Sequence, residues 1–272
     1  MTRKGRGRDV GMLVLLGVYT SPYAWQVLTS LKPEAELLRL PPVLPTRLTL
    51  EHYRVVLEQS LLPRALGNSV AIALFTTALV VVLGLFAAYA LARLPVPAKS
   101  WLLLGVVAAT AFPQIATVGP LYLVMRAFAL RDTWTALVLA HAALGLPLVI
   151  WLLAGFIREI PVELEQAASL DGAHRGQILR WIVLPLVAPG AASVALLTFL
   201  LSWNEFLYAY TFTATEASRT VPVALALFPG VFEVPWGDIA AASILTSFPP
   251  VLIVIALQPY LVRGLLAGSL KD

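Results

Sequence analysis

Apolar runs long enough to cross a lipid bilayer recur along this chain, and no other feature restricts its fold so strongly. A hydrocarbon core about 30 Å thick is crossed by roughly 20 helical residues. Six segments reach that length: Val10 to Leu31, Leu66 to Ala92, Trp101 to Met125, Trp134 to Ile157, Ile182 to Trp203 and Ile239 to Val262. With 59% hydrophobic residues, 12% charged ones and a mean hydropathy of +0.84, little is left for a soluble domain. The expected fold is all-α, a polytopic membrane protein with six transmembrane helices and one long polar loop before the fifth. The first segment contains Pro22, Tyr23 and Trp25 and no small-x-small cleavage site follows it, so it reads as a retained span rather than a signal peptide.

Lys and Arg set the orientation. With the N-terminus inside, eleven of them fall in inner segments and eight in outer ones, and Arg3, Lys4, Arg6 and Arg8 cluster just before the first span. Both termini and the loop around Glu165 are therefore expected in the cytoplasm. A sequence pI near 9.5 then follows from topology and calls for no nucleic acid. The chain has no cysteine, hence no disulfide framework and no thiolate ligand or nucleophile.

Reactive chemistry is sparse. His52, His141 and His174 lie in three different regions without metal-ligand spacing, no GxSxG elbow occurs, and none of Lys4, Lys32, Lys99 and Lys271 completes a P-loop. The expectation is a transport subunit, not an enzyme, with no metal site and no cofactor of its own. Ion-coupled carriers leave carboxylates, histidines or arginines inside their spans, yet Ser100 to Met125, Thr133 to Ala140, Ile182 to Asn204 and Ile239 to Val262 carry none. His141 and Glu205 are the exceptions, and a lone helical histidine reads as a packed, hydrogen-bonded residue before it reads as a relay.

The loop from Glu165 to Pro185, EQAASLDGAHRGQILRWIVLP, has the features of a docking element. Pro161 suits a helix start, Glu163 and Glu165 suit its positive end, and Leu164, Ala167 and Ala168 share a face. Asp171-Gly172 suits a left-handed stop, and Ile178, Trp181, Ile182 and Pro185 step by three or four along a second helix. An amphipathic segment lying on lipid satisfies the same pattern, so residue chemistry alone leaves both readings open.

A resemblance separates them. The spacing Ala167-Ala168, three residues, Gly172, nine residues, Ile182-x-Leu184-Pro185 resembles the EAA loop of ABC-importer membrane subunits, with Gln166 at the usual glutamate position and Glu165 one residue earlier. Further segments are similar to the second, shorter permease of maltose- and trehalose-type uptake systems. They are Ser30-Leu31-Lys32-Pro33, Pro41-Pro42, Leu48-Thr49-Leu50, Tyr53, Asn68-Ser69, Tyr89-Ala90-Leu91-Ala92-Arg93, Phe112-Pro113, Asp132-Thr133 and Trp203-Asn204-Glu205-Phe206. His52 stands where that pattern has asparagine.

The resemblance implies a sugar importer working by alternating access. It implies a basic N-terminus at 1–9, a six-helix permease domain at 10–263 with its coupling loop at about 158–185, and a cytoplasmic tail at 264–272. Implied ATPase-coupling residues are Glu165, Gln166, Ala167, Ala168, Asp171, Gly172, Ala173, Leu184 and Pro185, and Gly264, Leu265, Ala267 and Gly268 belong to an ATPase-contacting tail. The implied partners are a second permease in a heterodimer, two ATPase subunits that bind ATP and Mg, and an extracytoplasmic sugar-binding protein, all in the lipid of a prokaryotic cytoplasmic membrane. Trp203, Asn204 and Glu205 read either as part of a sugar path, since aromatic faces and amides suit a polar ligand, or as an interfacial anchor. A glycerol-phosphate or polyol permease is the alternative within the same machinery, and an ion-coupled carrier acting alone is the alternative outside it.

Overall fold

A computed structural model describes residues 3–38, 44–228 and 234–269, with side chains described in those ranges except at 3–8, 10 and 261–269. All regular elements among the described residues are helical. In chain order they are α1 (Arg3–Ser30), α2 (Glu34–Leu37), α3 (Glu51–Gln59), α4 (Leu62–Arg93), α5 (Lys99–Thr110), α6 (Gln114–Ala127), α7 (Trp134–Glu159), α8 (Val162–Leu170) and α9 (Arg175–Ile178). A π-helical turn (Leu179–Val183) joins α9 to α10 (Leu184–Trp203), followed by α11 (Leu207–Phe212), α12 (Val221–Ala226) and α13 (Trp236–Ser269).

The expectation of six spans is corrected here. Among the described residues four helical stretches are long and apolar enough to cross a membrane: Leu62–Arg93, Trp134–Glu159, Arg175–Trp203 and Trp236–Tyr260. A fifth is reached only if α5 and α6, bent by 95° against each other, count as one span. The bend falls at Ala111-Phe112-Pro113, where Pro113 takes an extended conformation (ψ 122°) before α6 begins; a proline pushes the residue before it away from helical dihedrals. The first segment fails for another reason: Tyr19, Thr20, Ser21, Pro22, Tyr23 and Gln26 dilute the apolar run inside α1.

The chain forms two compact units. One comprises Met1–Leu66 and Ala224–Phe248; its core packs Val56 and Leu62 against Ala241 and Ala242. Buried His52 fastens this unit, with Nδ1 2.6 Å from an Asp238 carboxylate oxygen and Nε2 2.9 Å from the Lys32 carbonyl. Gly237 has no side chain because a Cβ there would overlap the His52 ring.

The other unit comprises Gly67–Val223 and Pro249–Asp272. Its larger core joins Val80 and Ala88 of α4, Val149, Leu153 and Ile157 of α7 and Val187 and Val194 of α10. A second cluster gathers Ile72, Met125, Leu137, Tyr208 and Phe212. Small residues set the helix spacing, as expected where lipid tails supply little drive for association. A Cβ on Gly84 would lie 2.7 Å from Cγ1 of Val149, a side chain only 1% exposed and stiff because it is β-branched. Gly84→Ala is therefore expected to cost about 1–3 kcal/mol through overpacking, read as a lower midpoint of thermal unfolding in detergent. Adding Val149→Ala should recover part of the loss, and an unshifted midpoint in the single variant would refute this packing.

Candidate functional site

α8 is a nine-residue helix with strong end signals. Glu163 and Glu165 stand in its first turn, where the helix dipole favours carboxylates. At its end Gly172 adopts φ +88°, a left-handed conformation that carries little cost without a Cβ. The Gly172 N–H donates to the Ser169 carbonyl (3.1 Å) and the Ala173 N–H to the Ala168 carbonyl (2.9 Å), the paired bonds of a Schellman stop. The chain restarts at once: the His174 ring accepts from the Gln177 N–H while the Gln177 side chain accepts from the His174 N–H, a reciprocal cap. The second loop helix expected from the sequence is not separate. α9 runs through the π turn into α10, with the Leu184 N–H donating to the Leu179 carbonyl. Pro185 has no N–H to continue an i to i−4 ladder, which suits a turn of different pitch at this point.

The two candidate acids of the loop face different ways. Glu165 is buried and points into the protein: Arg93 Nε donates to its Oε1 at 2.5 Å and the Tyr89 hydroxyl to its Oε2 at 3.1 Å. Arg93 Nη2 donates in turn to the carbonyls of Ile157 (2.7 Å) and Ile160 (2.5 Å) at the end of α7. Gln166 and Ala167 are exposed, as are Asp171, Gly172, Leu184 and Pro185, whereas Ala168 and Ala173 are half-buried against the larger core. Leu170 is 90% exposed and Trp181 68%, the Trp181 ring carrying the Arg180 guanidinium 5.1 Å from its centroid. A cavity of about 610 Å³ opens beside α8, lined by Tyr89, Arg93, Glu165, Gln166, Leu170 and Arg175 among others.

At the other sequence candidate, Trp203 is buried and stacked on Phe199 with ring centroids 5.8 Å apart. Asn204 is exposed and donates to the Leu200 carbonyl at 2.8 Å. Glu205 is buried and fully engaged. It accepts from the Gln114 amide (2.6 Å), from the backbone N–H groups of Tyr208 (2.8 Å) and Ala209 (3.0 Å), and faces His141 Nε2 at 3.0 Å. His141 Nδ1 meets the Ser202 hydroxyl at 2.7 Å. One carboxylate thus caps α11 and ties α6 and α7 to the end of α10, which supports the reading of His141 as a hydrogen-bonded residue.

A third carboxylate, Asp132, sits outside the spans at φ +61°. It accepts from the N–H groups of Ala214 and Thr215 and from the hydroxyls of Thr215 and Ser218. Burial pushes this carboxyl up, but those hydrogen bonds outweigh it and hold it well below the usual carboxylate range. Among the described residues no group of His, Cys, Asp and Glu is placed to hold a metal. Gly264, Leu265, Ala267 and Gly268 continue the backbone of α13, and their side chains lie outside the described residues, as do Pro41 and Pro42.

The roles of Arg93, Tyr89 and Gln114 were not assigned from sequence. Tyr89 and Arg93 are four apart and so share one helix face, a signal that pointed to a common partner without naming it. Gln114 offered none, since its partner stands 91 positions away.

Comparison with known proteins decides the class. The family model described as the inner membrane component of binding-protein-dependent transport systems matches residues 80–266. The chain belongs to that family. It is 42% identical over 260 residues to a trehalose transport system permease of Mycobacterium tuberculosis, covering 95% of this chain and 94% of that one. A trehalose/maltose permease of Thermococcus litoralis is 37% identical across 96% of this chain and 95% of its own. A sulfoquinovosyl glycerol permease of Agrobacterium fabrum is 38% identical across 97% and 93%. Among solved structures, a chain of a bacterial ABC transporter that imports the polysaccharide alginate superposes with a TM-score of 0.81, at 21% identity, over 96% of this chain and 99% of that one, a likeness of fold. The chain is thus a polytopic membrane permease of the ABC-importer type, closely related to sugar permeases, and a transport subunit rather than an enzyme.

Removing Glu205 leaves its buried donors without an acceptor. Glu205→Ala is expected to lose about 3 kcal/mol or more, whereas Asn204→Ala, at an exposed amide, should stay within about 0.5 kcal/mol of the parent. Thermal unfolding of both variants in detergent checks this, and equal midpoints would overturn the bracing role of Glu205.

Proposed function

We propose that this chain is one of two permeases in an ATP-driven importer that carries a sugar, a di- or oligosaccharide, across a prokaryotic cytoplasmic membrane. The observation that carries the reading is the 42% identity to a trehalose permease over nearly the whole of both chains. Two partner ATPase subunits bind ATP and Mg, and an extracytoplasmic binding protein delivers the sugar. Both termini and the coupling loop, about 158–185, face the cytoplasm. Residues 10–263 form the permease body, and the tail at 264–272, with Gly264, Leu265, Ala267 and Gly268, reaches the ATPase pair.

The docking contact is made by the outward side of the loop: Gln166, Ala167, Leu170, Asp171 and Gly172, with Leu184 and Pro185 flanking the start of α10. Two features support this. Leu170, at the end of α8, is an apolar side chain 90% exposed, and the loop is stiffened at its turn by the Schellman stop and the reciprocal cap. Glu165 belongs to the loop from its inner side, so Gln166 meets the ATPase as a neutral amide. Closure of the ATPase dimer moves the loop, and the sugar shifts the equilibrium only between states that it binds differently. In the path region Asn204 is exposed and polar, whereas Trp203 and Glu205 are buried.

A second reading rests on the sulfoquinovosyl glycerol permease at 38% identity: the solute is a glycerol-containing or polyol compound handled by the same machinery. Uptake assays with labelled trehalose, maltose and glycosyl glycerols, using the cognate binding protein, separate the two.

The leading reading makes a direct prediction at Gly172, where φ is +88°. Proline cannot adopt that angle, so Gly172→Pro should abolish sugar uptake and binding-protein-stimulated ATP hydrolysis while the chain still inserts in the membrane. Normal uptake by that variant would eliminate the loop as the coupling element.

A further inference from the structure

The Arg93 guanidinium joins three helices at one point. Its Nε donates to Glu165 of α8, its Nη2 donates to two carbonyls at the end of α7, and its own backbone ends α4. The last carbonyls of a helix have no partner within it, and a cation near them is favoured by the helix dipole. Arg93 therefore answers a need of α7 that exists whether or not α8 is present. Glu165 plugs α8 into that same cation, and the Tyr89 hydroxyl, one turn back on α4, holds the second carboxylate oxygen. The side chains of Arg93 and Glu165 are 12% and 9% exposed, so water and salt screen the pair far less than a surface ion pair.

The chain joins α8 to α7 through Ile160 and Pro161, Ala168 packs on the larger core, and two further routes lead from α8 into the membrane helices. One follows the chain through the Asp171-Gly172 turn, α9 and the π turn into α10. It changes hydrogen-bond pitch twice on the way, at a turn type that is rare in regular helices. The other crosses directly from Glu165 to Arg93, by a charge-assisted hydrogen bond 2.5 Å long whose planar donor is locked by further bonds. We propose that the Arg93–Glu165 pair is the positioning joint that delivers displacement of the coupling helix to α4 and α7. Arg93 and Tyr89 thereby act in transport without touching either the sugar or the ATPase. The inference rests on the docking role of α8 proposed above.

The test uses the whole transporter, with both permeases, the ATPase and the loaded binding protein in liposomes, and reads sugar taken up per ATP hydrolysed. Glu165→Gln keeps the shape and loses the charge; Arg93→Lys keeps the charge but cannot span Glu165 and both α7 carbonyls. Each should lower the uptake-to-hydrolysis ratio roughly tenfold, within the usual range of coupling between linked sites, while the ATPase still co-purifies. The double variant should fall no further than Arg93→Lys alone. Because the chain has no cysteine of its own, Arg93→Cys with Glu165→Cys creates a unique pair that a thiol-specific linker can bridge. Bridging should restore the ratio lost in the unbridged pair, a rescue that a merely structural role would not produce. An unchanged ratio in Glu165→Gln and Arg93→Lys, or a bridged pair that stays uncoupled, overturns the joint. A parent chain that transports with no ATPase attached would instead overturn the proposed function itself.

Discussion

A carboxylate or guanidinium shut away from water must find partners within the protein, and the interior of a bilayer offers no alternative. Among the described residues, Glu205, Glu165 and Arg93 are such groups, buried or nearly so, and each serves more than one partner. Glu205 serves two side chains and two backbone N–H groups, and Arg93 serves one carboxylate and two carbonyls. Asn68 does the same on a smaller scale, its amide donating to the carbonyls of Ala217 and Arg219. All stand at or near helix ends or against connecting loops, where backbone groups lack helical partners. The apolar spans are thus assembled by packing along their length and fastened by polar joints at their ends.

The same division explains how a nine-residue helix is held in place. An isolated helix of that length is marginal in water, and α8 has no long apolar face with which to bury itself. Its order comes from three separate sources: the Glu165 ion pair on its inner side, Ala168 against the larger core, and the Schellman stop at Gly172. None of these uses the outward face. The side chains of Gln166, Ala167 and Leu170 stay exposed and carry none of the contacts that hold the helix together.

Helix positions were largely legible in the sequence because hydropathy reports them directly. So was the left-handed stop at Gly172, since that φ disfavours other residues. Span counting went wrong where hydropathy averages conceal local chemistry: Phe112-Pro113 splits one apolar run into two helices bent by 95°, and polar residues from Tyr19 to Tyr23 weaken α1. The partners of buried charges were not legible. Glu165 meets Arg93 across 72 positions and Glu205 meets Gln114 across 91, and no local pattern encodes a pairing of that range. Glu205, read from sequence as either a path residue or an anchor, is occupied on every side; Asn204 beside it is the exposed one.

The departure at Gln166 takes a different meaning in this light. A glutamate at 166 would place a second carboxylate next to Glu165, whose partner Arg93 is already bonded to Glu165 and to α7, leaving Arg175 as the other cation that lines the cavity beside Gln166. The amide avoids that repulsion while keeping a donor and an acceptor on the exposed side. Glutamate at 165 and glutamine at 166 are therefore not one function displaced by a residue. The first is spent inside the permease and the second is presented outside it, so charge at the inner position and neutrality at the outer one are consistent with a single arrangement of α8.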